Sequence, residues 1–204
     1  MGEVIEINIV SHEKCQISHL LRFISLQMKD SVIKRTIEIM DNWQYENVFE
    51  VADEMDIEDF VDTKIISITE MMSMGQAGVN IESLNGYYTY CIWFNGKYSM
   101  SDIEYIELIK HFIDYACNIE MIDKILIGAI GKESIFEYLK DIKKTINTSH
   151  NIDVWILDKR ECVDNALEDC NVLEFQKKQL ISKEKRFFLK NNCHLKERIA
   201  YSEI

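Results

Sequence analysis

Residues 124–137, KILIGAIGKESIFE, decide how the rest of the chain is assembled. The apolar run from Ile125 to Ile130 has the length of a buried strand, and Gly128 and Gly131 punctuate it. Ser134-Ile135-Phe136-Glu137 matches a helix capping box, in which Ser134 accepts from the amide of Glu137 and Glu137 reaches back to the amide of Ser134. The stretch thus predicts a strand, a short glycine joint holding Lys132, and a helix continued by Ile135, Leu139, Ile142 and Ile146. A phosphate-cradling loop needs four residues between its first glycine and a Gly-Lys pair, followed by Ser or Thr. Here two residues separate Gly128 from Gly131 and Glu133 follows Lys132, so the spacing excludes the standard loop.

Working outward, residues 152–157 read as another strand. Strand, helix, strand in succession argue for parallel pairing through right-handed crossovers. Upstream, Ser101-Asp102-Ile103-Glu104 is a second capping box, and Ile106, Ile109, Phe112, Ile113 and Ala116 continue it at helical spacing. Residues 64–72, 77–83 and 86–94 alternate as strands, and Asn85-Gly86 joins the last two as a hairpin. The strand 86–94 has apolar residues on both faces, which predicts a covered central position. Residues 4–10, VIEINIV, form a first strand. Between them, 12–41 carries two helical stripes, Ile17 to Met28 and Val32, Ile33, Ile37, Met40, read as two helices or one with a bend. The expected fold is therefore α/β or α+β: a mixed sheet of about six strands, with an antiparallel hairpin and a parallel βαβαβ run. It fills one domain over 1–160. Residues 161–204 are expected to form a helical extension docked on it, built on a basic amphipathic helix over 171–190.

Charge adds to the functional reading. The 204 residues carry a formal charge of −12. Residues 1–170 hold 31 acidic against 15 basic side chains, while 171–204 hold 4 against 8. Such a body repels nucleic acid and anionic lipid and attracts a basic protein. The densest acidic stretch is Asp53, Glu54, Met55, Asp56, Ile57, Glu58, Asp59, Phe60, Val61, Asp62. It lacks the glycine and terminal glutamate of a calcium loop in any register. Two readings remain: a solvated acidic face with its apolar residues packed inward, or a docking surface in which carboxylates meet a basic partner around Met55 or Phe60.

Six cysteines form no C-x-x-C pair, and the five histidines give no zinc spacing, so no metal and no cofactor is expected. No serine or cysteine sits in a nucleophile elbow. No apolar run approaches the roughly 18–20 residues of a membrane span, and an acidic residue opens the N-terminus, so a cytoplasmic, membrane-free protein is expected. The leading expectation is a non-enzymatic protein that binds a basic protein, the profile of toxin-neutralising immunity proteins. The rival is a nucleotide- or phosphometabolite-binding enzyme, with Ser11, His12, Gly131, Lys132 and Asp158 gathered as an anion site at the carboxyl ends of parallel strands. A homodimer sealed by the hairpin faces or the 171–190 helix is the third expectation. Tyr87, Tyr88, Tyr90, Trp93 and Tyr98 read as core, with an outward tyrosine face available to a protein or a base.

Overall fold

A computed structural model describes residues 3–28, 31–51, 57–73, 75–96, 101–158, 167, 170–173 and 185–190; at 96, 170–173 and 185–190 it describes the backbone. The strands are β1 Val4–Ser11, β2 Lys34–Met40, β3 Phe49–Val51, β4 Ile65–Met72, β5 Gly75–Leu84, β6 Tyr87–Gly96, β7 Ile125–Ile135, β8 His150–Asp158, β9 Cys170–Leu173 and β10 Lys185–Lys190. The helices are α1 Ile17–Met28, α2 Asp102–Asn118 and α3 Ile142–Thr148. All ten strands join one sheet, in the order β3-β2-β4-β5-β6-β1-β7-β8-β10-β9.

Every pairing in that sheet is antiparallel, which overturns the parallel βαβαβ run. The reason lies in KILIGAIGKESIFE. Its glycines do not end the strand: β7 continues for eleven residues through Lys132 and Ser134. The hydroxyl of Ser134 donates to Glu6 Oε2 at 2.7 Å and accepts from Asn8 Nδ2 at 3.3 Å, both on β1, so it is a cross-strand contact and caps no helix. The helix begins instead at Ile142, with the Asp141 side chain accepting from the amide of Lys144. Seven helical residues rise about 10 Å, whereas a parallel return past eleven strand residues needs about 36 Å. The chain therefore turns round where β7 ends, and β8 returns antiparallel to it. By contrast α2, with its capping box at Ser101 and Glu104 intact, is long enough to carry the chain back across the sheet. It links β6 and β7, which run in the same direction, but β1 lies between them and pairs antiparallel with both.

Two further expectations are corrected. The second helical stripe, Val32 to Met40, is β2: Arg35, Ile37 and Ile39 alternate toward one face, and Ile33 extends the ladder by donating to Met71 O at 2.8 Å. A β-branched segment of this kind satisfies a helical spacing and a strand spacing at once. The basic helix expected over 171–190 is replaced, where described, by the strands β9 and β10; residues 174–184 lie outside the described residues.

α1 and α2 pack on one face of the sheet. Ile5, Ile7 and Ile9 of β1, Val79 and Ile81 of β5, and Ile92 and Phe94 of β6 meet Leu20, Phe23, Ile24, Ile109 and Phe112 there, all almost fully buried. Phe23 is the hinge of this cluster, edge-on to Phe94 at 6.2 Å and to Phe112 at 5.5 Å. On the opposite face a smaller cluster, with Val10, Ile127, Ala129, Trp155 and Leu157, is covered by Ile146 of α3 and by Leu167. Beyond β1, toward β3, no helix of the described residues lies on that second face. The Asn85-Gly86 turn is as expected: both residues have positive φ, at 56° and 83°, the geometry of a two-residue hairpin turn. Among the described residues, no helix is long and apolar enough to cross a membrane.

Candidate functional site

Two readings of the acidic stretch meet the structure here: a solvated face with its apolar residues packed inward, and a docking surface for a basic partner. Asp53, Glu54, Met55 and Asp56 lie outside the described residues. The described remainder is occupied with structure. Ile57–Phe60 is one turn of 3-10 helix, Phe60 packs on the main core and stands edge-on to Phe49 at 6.0 Å, and Val61 is buried. Glu58 Oε1 accepts from the amide of Ile17 at 3.2 Å, covering the start of α1. Asp62 accepts from Lys14 Nζ and from Tyr88 OH, each at 2.8 Å, and these two partners hold its carboxyl below the usual range. Of this group, Asp59 and Asp62 are exposed and Glu58 and Phe60 are half-buried.

The five anion-site residues are dispersed. In an antiparallel sheet the carboxyl ends of β1 and β7 point to opposite edges. Ser11 is opposite Ile125, whereas Lys132 is opposite Ile5 at the far end of β1. Asp158 follows Leu157, which pairs with Ile127, and so lies toward the Ser11 end. Ser11 donates to Lys124 O and accepts from the amide of Glu13, and His12 stacks on Tyr87 with ring centres 4.7 Å apart. Lys132 is held by Glu3 at 3.0 Å, lies 4.0 Å from Asp102, and stands 5.1 Å above the Tyr105 ring. Gly131 sits in a bulge so tight that a Cβ would fall 1.9 Å from Asn151 O. The enzyme expectation depended on parallel strands converging these groups, and that convergence does not occur.

The structure brings together a different set. On the sheet face left open by the helices, one row of side chains runs Glu50, Glu38, Ser67, Asn80, Cys91 and Asn8, each opposite the next across β3, β2, β4, β5, β6 and β1. At the step where this open half meets the part covered by α3 lies a groove of about 340 Å³. Asn8, Asn80, Thr89 and Cys91 form its floor, Trp43 and Leu84 one side, and Tyr87, Phe136, Glu137, Tyr138 and Lys140 the other. Tyr87 and Tyr138 meet edge to face at 5.3 Å, and Lys140 Nζ stands 6.0 Å from the centre of the Tyr87 ring. The amide of Leu139 is anchored on the buried hydroxyl of Thr145, which fixes this wall to α3.

Trp43 is equally well placed. Its indole Nε1 donates to Glu82 Oε2 at 3.0 Å. Asn42, next to it, accepts from the amide of Gln44 and donates to Glu46 at 2.7 Å, while Asp41 is bound by Asn47 and Lys64. Burial pushes the Cys91 thiol up to about 12, which favours its protonated form. No group of side chains among the described residues forms a metal site. The groove presents aromatic rings, side-chain amides and carboxylates.

No protein-family model and no curated protein matches the chain. The tyrosines of β6 stand out in the sequence, whereas the groove does not. The signal was present in the alternate positions Asn8, Ser67, Asn80, Thr89 and Cys91: polar or small residues on every second place of strands whose other places are isoleucine, valine and tyrosine.

Proposed function

We propose that the protein is a non-enzymatic binding protein whose partner is a basic protein, engaged through the open face of the sheet. The observation that carries this reading is the Glu38–Glu50 pair, directly opposite each other across β2 and β3. Like charges in that position oppose pairing by a few tenths to about 1 kcal/mol. No lysine or arginine of the described residues forms an ion pair with either carboxylate. A local rule broken without compensation is the expected mark of a surface selected for something other than stability. The formal charge of −12 supports the same reading through long-range attraction of a cationic partner. Neutralisation of a basic toxin is the particular form of it that the charge and size favour.

The test compares two double variants of equal charge. Glu38→Gln with Glu50→Gln removes the pair; Glu107→Gln with Glu120→Gln removes two carboxylates near the solvent side of α2. Each is immobilised and exposed to native lysate at low salt. The expected result is a basic protein retained by the parent and the α2 variant and released from the β2–β3 variant or by raised salt. Retention of nothing, or equal loss from both variants, overturns the proposal.

A further inference from the structure

We propose that the groove beside Trp43 receives one cationic side chain of the partner, with arginine favoured over lysine. This rests on the basic-partner reading and adds the place and the chemistry of the contact. Five aromatic residues, Trp43, Tyr87, Tyr90, Phe136 and Tyr138, line a space of about 340 Å³, large enough for a single long side chain and too small for a folded element. Ring faces attract cations, and the effect grows where the site excludes water. Two carboxylates, Glu82 and Glu137, lie on the lining. Glu82 uses Oε2 to hold the indole, which leaves Oε1 for a charge-assisted hydrogen bond from an entering cation.

The floor supplies an independent indication. Asn8 is nine-tenths buried and lines the groove. Its Nδ2 donates to Ser134, whereas its Oδ1 accepts from no described residue. This amide oxygen is open to the groove with no donor among the described residues, and a guanidinium entering between the rings brings five. Its flat shape stacks on an indole while its edge meets Glu82 and Asn8, which a tetrahedral ammonium cannot do at once. Lys140, at the rim over Tyr87, is the chain's own cation in this field and competes weakly with an incoming one.

Titration of the 15N-labelled full chain with N-acetyl-arginine N-methylamide, followed by NMR at the Trp43 indole N–H, tests this directly. The Trp43 signal is identified by its loss in Trp43→Phe. A saturable shift is expected, with the neutral citrulline analogue binding at least about tenfold more weakly. Glu82→Gln should raise Kd about fivefold while the indole signal stays in place, because the glutamine oxygen still accepts from Nε1. Lys140→Ala should lower Kd about two- to threefold. Equal binding of citrulline, or indifference to Glu82→Gln, overturns the inference in favour of a neutral polar pocket. Absence of saturation while the Glu38 and Glu50 changes still release a basic partner overturns the groove alone. Saturation by arginine with no partner retained supports the groove and removes the basic-protein reading.

Discussion

Arg35 and Glu70 face each other across β2 and β4, and both Nε and Nη2 of the arginine donate to the same oxygen, Oε1, at 3.0 and 2.6 Å. Glu70 is fully buried on the helix-bearing face between Ile68 and Met72, and its second oxygen has no hydrogen-bond partner. The carboxylate thus depends on one cation whose side chain remains about one-third exposed. Arg35→Ala should cost about 3 kcal/mol, the lower end of the range for stranding a buried charge. Replacing both residues by methionine should recover most of that loss. Urea unfolding of the two variants measures the difference; a single variant as stable as the parent would show that solvent reaches Glu70.

The two glycines of KILIGAIGKESIFE should respond very differently to alanine. At Gly131 the new Cβ meets backbone, Asn151 O at 1.9 Å, and the bulge of β7 against β8 must open. The cost should reach or exceed about 3 kcal/mol, the upper end for inserting one carbon into a packed site. At Gly128 the nearest atoms are side-chain carbons of Ile156 at 3.1–3.3 Å, which can yield. Strand propensity there favours alanine slightly, so a change within about 1 kcal/mol is expected. Thermal unfolding of both variants decides whether Gly131 serves close approach, as the geometry requires.

Acid should weaken the fold through exposed carboxylates that have structural partners. Lys14 and then Tyr88 lower the pKa of Asp62, and Lys64 and then Asn47 lower that of Asp41. A carboxyl depressed in the folded state adds stability above its unfolded value, near 3.9, and loses it as pH falls through the folded value. Asp62→Asn and Asp41→Asn should therefore be less stable than the parent at about pH 7 and indistinguishable from it near pH 2. Unfolding curves at the two pH values check this. A stability gap that persists at the acid end would assign the effect to packing instead.

Element by element, much of the fold could be read from local chemistry. The alternation of VIEINIV, the Asn85-Gly86 turn and the Ser101 capping box each act within a few residues, and each appears as expected. Ser134 failed because the same hydroxyl that suits a cap also suits a cross-strand bond to Glu6, 128 residues away, and only the assembled sheet chooses. β2 was ambiguous because Ile33 and Ile37, four residues apart, fit a helical and a strand period alike. The groove was illegible for a related reason: Asn8, Asn80 and Thr89 are adjacent only through the strand order, which no local pattern encodes. Glu58, Asp62 and Phe60, singled out together by density of charge, were drawn apart by separate local partners.

β1 lies between β6 and β7, and its polar contact from Asn8 to Ser134 closes 126 residues of chain. Neither pairing of β1 can form until a distant stretch of the chain has been brought back to it, so the ordering entropy is spent before the central pairings reward it. The sheet has two halves that can begin separately, the meander β4-β5-β6 and the β7–β8 pair, with β1 as the keystone. Folding should accordingly be slow for a domain of this size. Until β1 docks, the edges of β6 and β7 are the strands most open to pairing with another chain, and intermolecular association during refolding should begin there.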